Sequence, residues 1–212
     1  GSIVTDSVTS DGLREFIEDT LGGKHIRFKR GYKNVIDEAI RRTNLGENSP
    51  LAIETSGHAA FKENYYLDDG AYLVTKIIIK AAVLRKENKK IGDCIADLKK
   101  PLEEKELRFN ITEENFREIG ETLIEDIKKQ AEENEEMFLA PDNYEGVRVS
   151  FKDVKRNGWF LLRLSVHDPV MPFNTESDTE GGCVEICKSF CEMVKNVKGI
   201  DFTPVQEFIN LQ

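Results

Sequence analysis

Two short stretches hold the side chains best suited to chemistry. Glu54-Thr55-Ser56-Gly57-His58 puts a carboxylate, a hydroxyl and an imidazole around a glycine directly after an apolar run. A strand end presents polar groups to a hydroxyl-rich ligand in this way. Arg163-Leu164-Ser165-Val166-His167-Asp168-Pro169 offers a guanidinium, a hydroxyl and an imidazole able to carry charge, the ingredients of a phosphate clamp. Together they ask for a ligand with sugar hydroxyls at one end and phosphate at the other.

Each stretch has a plainer alternative. The first reads equally as a turn in which Ser56 caps the next segment and His58 is merely exposed. In the second, Arg163 and His167 are able to form a structural ion pair with Asp168. Cys183, Cys187 and Cys191 recur every fourth residue, and Ile186, Phe190 and Val194 continue the same helix face. With no neighbouring His, these cysteines read as small buried hydrophobes in a reducing compartment, and no metal site is expected there.

Composition narrows the function classes. The 212 residues include 39 acidic and 30 basic side chains, a formal charge of -9. The basic footprint of a nucleic-acid binder is missing, so no nucleic acid is expected as partner, and an anionic ligand must be held by a local cluster. No apolar run is long enough to span a bilayer and no signal-peptide pattern is present. A soluble, cytoplasmic protein without membrane contact is expected. Gly1-Ser2 in place of a Met reads as a cleavage scar, which makes the chain a piece of something longer.

Alternating elements position the first stretch. Ile3 to Thr5 reads as a strand, Leu13, Phe16, Ile17 and Leu21 as an inward helix face stopped by Gly22-Gly23, and His25 to Phe28 as a second strand. Tyr32 to Arg42 follows as a helix with Val35, Ile36, Ala39 and Ile40 inward, then Leu51 to Thr55 as a third strand. This β-α-β-α-β order argues for a parallel sheet, whose ligands gather beyond the carboxyl ends of strands. Asp68-Asp69-Gly70 caps a helix over 71–86, with Val74, Ile77, Ile78, Ala81 and Ala82 as its buried stripe.

A charged stretch, 99–105 around Pro101, reads as the linker. Beyond it the sequence predicts a strand over 107–111, a helix opened by Thr112, Glu113 and Glu114, strands at 147–151, 159–164 and 170–173, and a final long helix from Gly181-Gly182 through Val197. Two helices on one face of a small antiparallel sheet account for this half.

Phe28-Lys29-Arg30-Gly31-Tyr32, Glu54-Thr55-Ser56-Gly57-His58, Asp68-Asp69-Gly70 and the Arg163 to Pro169 loop follow one another in an order and spacing that resembles the α-D-phosphohexomutases. The likeness is to the C-terminal half of a phosphomannomutase/phosphoglucomutase. It implies an α/β fold in two parts. Residues 3–103 would be the three-layer α/β/α domain 3, truncated at its N-terminus and carrying the sugar-binding loop. Residues 104–212 would be domain 4, a small α+β domain with helices packed on a TBP-like antiparallel sheet and a phosphate-binding loop.

The resemblance also implies roles. Glu54 and Ser56 hold sugar hydroxyls in the loop turned by Gly57, and His58 sits near the reacting hydroxyl or the phosphate, the one candidate for acid/base work. Lys29 reaches toward the substrate, while Arg163, Ser165 and His167 grip the phosphate. Many relatives read R-x-S-[GN]-T-[DE]-P in that loop. Val166 and His167 depart from the pattern by removing a small flexible residue and a hydroxyl, and Tyr32 stands where some members have His.

The family's phosphoserine loop of Ser-His-Asn-Pro type and its D-x-D-x-D-R metal loop do not occur in the sequence. The implied parent enzyme is an isomerase that interconverts hexose 1-phosphate and hexose 6-phosphate through a phosphoserine and a hexose 1,6-bisphosphate. Its Mg2+ would be bound outside this chain, whose own part is substrate binding without turnover. A stand-alone, non-catalytic phosphosugar-binding module is the alternative. Glucose, mannose and N-acetylglucosamine phosphates all fit these motifs, and no oligomeric state follows from them.

Overall fold

The strand and helix alternation of the first hundred residues folds as a mixed α/β layer, and the rest as helices on an antiparallel sheet. The structure, a computed structural model, describes residues 1–141 and 143–211. Gln212, the end of the expected second domain, lies outside the described residues. The chain divides into two compact units, Gly1–Lys100 and Pro101–Gln212.

In the first unit β1 (Ser2–Thr5) lies inside the sheet and pairs in parallel with β2 (Lys24–Arg27) on one side and β3 (Leu51–Ile53) on the other. A fourth strand, β4 (Ala59–Phe61), runs antiparallel beside β3 and gives the order β2-β1-β3-β4. Sequence pattern did not anticipate β4, because three apolar residues after a polar loop are too few to show alternation. Its consequence is direct: Glu54 to His58 becomes the tip of a hairpin.

The first helix, α1 (Asp11–Glu15), starts where Ser10 Oγ accepts from the Leu13 N–H at 3.0 Å. It widens into a π-helical turn over Phe16–Thr20, closed by Leu21 N–H to Phe16 O. The wider turn rotates Leu21 off the inward face, so this residue, expected to be buried, is exposed. The amphipathic helix α2 (Tyr32–Asn44) buries Val35, Ile36 and Ala39 against Val4, Ile26, Ala52 and Ala60.

Helix α3 (Gly70–Lys86) is capped by Asp69, whose Oδ1 accepts from Tyr72 N–H at 2.9 Å. Its expected stripe is corrected. Val74 is 54% exposed and Ile78 63%, Ile77 and Ala82 are exposed as well, Ala81 is half-buried, and Leu84 is the buried residue of the helix. Apolar side chains surround α3 on all sides, so periodicity selects no face. No helix among the described residues is long and apolar enough to cross a membrane.

The second unit begins its first strand, β5 (Glu103–Ile111), earlier than expected. Glu103, Glu104 and Lys105, read from sequence as linker, pair with Ser177, Glu176 and Thr175. Alternating charges on an exposed strand face look like a solvated tether. The remaining elements are α4 (Phe116–Glu132), β6 (Met137–Leu139), β7 (Val147–Phe151), β8 (Gly158–Leu162), β9 (Val170–Ser177), α5 (Gly182–Val194), β10 (Ile200–Asp201) and α6 (Thr203–Asn210).

They build a six-stranded antiparallel sheet of order β10-β5-β9-β8-β7-β6. Helix α4 starts four residues later than Thr112, α5 ends three residues before Val197, and α6 follows it. Every second residue of the strands, such as Val147, Val149, Phe160, Leu162, Met171 and Phe173, packs with Leu123 and Ile127 of α4 and with Ile186 and Phe190 of α5. Phe173 and Phe190 meet at 4.7 Å between ring centroids. Cys183 and Cys187 belong to the same buried helix face, and burial pushes the Cys183 thiol up to about 11 and that of Cys187 higher still. Both act as packing groups.

Candidate functional site

Glu54 follows β3, and its carboxylate is buried and already partnered. Oε1 accepts from the Gly31 N–H at 2.6 Å, and Oε2 accepts from the Ser56 hydroxyl at 3.1 Å. Gly31 precedes α2 with φ of 112°, which turns its N–H toward the hairpin. The turn closes through Gly57 N–H to Glu54 O and Glu54 N–H to His58 O, both 2.9 Å, with Gly57 at φ of 93°.

The neighbouring hydroxyl of Thr55 donates to Asp6 Oδ2 at 2.6 Å, and the Thr55 N–H reaches Asp6 Oδ1 at 3.4 Å. Asp6 has no exposed surface. Burial raises its proton affinity above the usual carboxylate range against the opposing Thr55 bonds; the nearby Glu54 charge adds to the rise and Arg30 opposes it.

His58 is exposed, and its Nδ1 lies 2.7 Å from Asp68 Oδ2. The Tyr32 ring stacks on it with centroids 5.1 Å apart and 28° between planes. An ionised carboxylate only accepts, so in this contact Nδ1 carries the hydrogen and Nε2 points away. Lys29, exposed, lies two residues before Gly31 in the loop between β2 and α2. The first unit thus brings Glu54, Ser56 and Gly57 together, joins His58 to Asp68 and Tyr32, and leaves Lys29 beside the Gly31 turn.

In the second unit the loop between β8 and β9 carries the other candidates. Arg163 is buried, with Nη1 3.7 Å from Glu145 Oε1 and Nη2 donating to Asn174 Oδ1 at 3.4 Å. The expected alternative of a pair with Asp168 is replaced by Glu145. Ser165 Oγ accepts from the Asp168 N–H at 3.2 Å, which leaves the hydroxyl hydrogen to a further acceptor. Val166 and His167 are exposed at the crest, and Arg117 Nη2 donates to the Val166 carbonyl.

Sequence reasoning missed Asp6, Asp68 as a His58 partner, Glu145, Asn174 and Arg117. Asp6 had a signal, since it ends a strand neighbouring the one that carries Glu54 in a parallel sheet. Asp68 was read with Asp69 as a cap. Glu145, Asn174 and Arg117 come from separate elements and left no local pattern.

Residues 1–101 match the family described as phosphoglucomutase/phosphomannomutase, alpha/beta/alpha domain III. A phosphomannomutase/phosphoglucomutase of Pseudomonas putida is 28% identical over 179 residues, 84% of this chain and 34% of that protein. Both findings make the chain similar to phosphohexomutases. The Pseudomonas aeruginosa enzyme of the same name is 27% identical over 177 residues, 83% of this chain and 34% of that protein. In fold, the chain is similar to a phosphoglucomutase/phosphomannomutase family protein from Burkholderia thailandensis, with a TM-score of 0.70 at 22% identity over 93% of this chain and 38% of that one. It is similar also to an N-acetylphosphoglucosamine mutase variant of Aspergillus fumigatus solved with glucose 1,6-bisphosphate, with a TM-score of 0.56 at 12% identity over 92% of this chain and 38% of that one. The chain spans about a third of the length of the curated relatives it matches.

Proposed function

We propose that this chain is the substrate-holding portion of a phosphomannomutase/phosphoglucomutase, with the Glu54 hairpin addressing sugar hydroxyls and the Arg163 to Asp168 loop addressing phosphate. The observation that carries the reading is the buried Glu54 carboxylate fixed by Gly31 and Ser56. A carboxylate has about four lone-pair positions. Two are filled by the protein, so two remain for a pair of neighbouring hydroxyls. Gly31 and Ser56 orient the acceptor before the sugar arrives, which limits the ordering cost of binding.

The other groups have parts that suit the same ligand. His58, with Nδ1 on Asp68, presents Nε2 as a nitrogen able to take a proton from a hydroxyl. Ser165 and His167 offer donors to a phosphate, and Lys29 adds a mobile positive charge near the Gly31 turn. The interconversion of hexose 1- and 6-phosphates through a bisphosphate intermediate is the parent activity this reading supplies, and these residues would position the sugar for it.

The residues present do not fit the family's Mg2+. Among the described residues no three His, Cys, Asp or Glu side chains are placed to hold a metal ion. The isolated 212-residue chain is expected to bind hexose phosphates and to show no turnover with Mg2+ and glucose 1,6-bisphosphate added.

Glu54→Gln tests the reading. It keeps the shape but exchanges two acceptor positions for donors, so glucose 6-phosphate should bind about tenfold more weakly, with inorganic phosphate binding unchanged. NMR titration of the chain with each ligand gives the answer. Equal loss for both ligands, or for neither, would remove Glu54 from the sugar site.

A further inference from the structure

Glu54 to His58 form the tip of the hairpin between β3 and β4, and from Thr55 to His58 that tip is exposed. The ladder beneath it is short, since β3 and β4 pair over Leu51–Ile53 and Ala59–Phe61 alone. An exposed tip on so short a ladder is mobile unless groups outside the hairpin hold it. A carboxylate that is to meet two hydroxyls gains most when it is fixed before they arrive.

Two ties from outside the hairpin do this. One is the Gly31 N–H on Glu54 Oε1. The other starts from the next residue. Ser56 Oγ donates to Glu54 Oε2, so these two side chains meet on one side of the turn, whereas Thr55 between them gives its hydroxyl and its N–H to the Asp6 carboxyl. The parallel pairing of Thr5 with Ile53 sets Asp6 beside Glu54, at the ends of neighbouring strands. Asp6 has little freedom of its own. It has no exposed surface, and its carbonyl accepts from the Thr9 hydroxyl at 3.1 Å. The anchor is thus firmer than the turn it holds, and being wholly buried it acts on a ligand through Thr55.

We propose that Asp6 and Thr55 are positioning residues of the sugar site: the buried Asp6 carboxyl holds the exposed turn through both donors of Thr55, and so sets where the Glu54 carboxylate meets a pair of sugar hydroxyls. The proposal rests on the reading of the Glu54 hairpin as the sugar site. It separates the roles within one turn. Glu54 and Ser56 face the ligand, and Thr55 faces the fold. Loss of the tie therefore weakens a ligand that carries the hydroxyl pair and spares one that is phosphate alone.

The test uses the 212-residue chain and NMR titration with glucose 6-phosphate and with inorganic phosphate. Thr55→Val keeps the shape and removes the hydroxyl, so glucose 6-phosphate should bind about fivefold more weakly with inorganic phosphate unchanged, and Thr55→Ser should restore most of the affinity. The Gly31 amide proton, bonded to Glu54 Oε1, reports the carboxylate's position without ligand and should shift in Thr55→Val. A role in stability alone would lower the urea midpoint and leave both the sugar affinity and the Gly31 signal as in wild type. That result, with Glu54→Gln still losing sugar, overturns the proposal and leaves the sugar reading intact. If the wild-type chain binds no glucose 6-phosphate, both fall together. Should Thr55→Val fail to fold, Asp6→Asn decides by the same two titrations: weaker sugar binding alone supports the proposal, and wild-type affinity removes it.

Discussion

Thr55 gives both of its donors to Asp6, the hydroxyl at 2.6 Å and the backbone N–H at 3.4 Å, which ties the Glu54 hairpin to the end of β1 through a carboxyl with no exposed surface. Asp6→Ala would strand those donors and is expected to cost about 1–3 kcal/mol in urea denaturation, Asp6→Asn less. The pH dependence has a definite sign. Native Asp6 holds its proton more tightly than an unfolded aspartate at about 3.9. Its contribution to stability is therefore complete below that value and is lost as pH rises through the native one. Followed from pH 7 downward, the stability difference between wild type and Asp6→Asn should move in favour of wild type. A drift the other way would mean that the native acid ionises readily.

His58 and Asp68 lead to a spectroscopic prediction. With Asp68 accepting, the neutral imidazole is the Nδ1–H tautomer, and its ring nitrogens should differ in 15N shift, Nε2 having the lone pair. Asp68→Ala should move the population toward Nε2–H, since that partner is gone. Measured in the neutral imidazole form, a wild-type spectrum with the lone pair on Nδ1 would reverse the assignment.

The two loops were legible in sequence because their residues are contiguous, and so were the strands that alternate and the helices with one apolar face. Glu54 and Ser56 meet within one turn, which spacing alone suggests. Helix α3 failed for a physical reason, as isoleucines on every side leave the buried face to tertiary packing. Strands β6 and β10 and helix α6 are short and take their identity from their partners. Arg163 was read as part of a phosphate grip, and its surroundings were not legible. Its burial depends on Glu145 and Asn174, which only the pairing of β8 with β9 and the preceding loop bring near.

Limited proteolysis should respond to the corrected start of β5. Glu103 to Lys105 are hydrogen-bonded strand, while residues 87–100 hold a single 3-10 turn, Ile91–Ile95, and are almost wholly exposed. Trypsin is expected to cut first at Lys89 or Lys90, because exposed backbone held only by local turn bonds opens with little free energy. A first cut after Lys105 would show that this end of the strand frays.

Gly120 and Leu164 allow the α4 contact to be measured without any ligand. Gly120→Ala gains up to about 1 kcal/mol in helix propensity. Its Cβ would stand 2.6 Å from Leu164 Cδ1 and 3.3 Å from Cγ, and overpacking of this kind costs about 1–3 kcal/mol. The clash should win, since Cγ is close as well as the flexible methyl, and the variant should be less stable. Leu164→Ala empties that space, so the helix gain is realised in the double variant and the two losses do not add. A urea double-mutant cycle should return a favourable coupling of about 1 kcal/mol or more, within the range for residues in contact. Additive losses would mean that the loop does not rest on Gly120, and Arg117 would then have no reason to stand beside Val166.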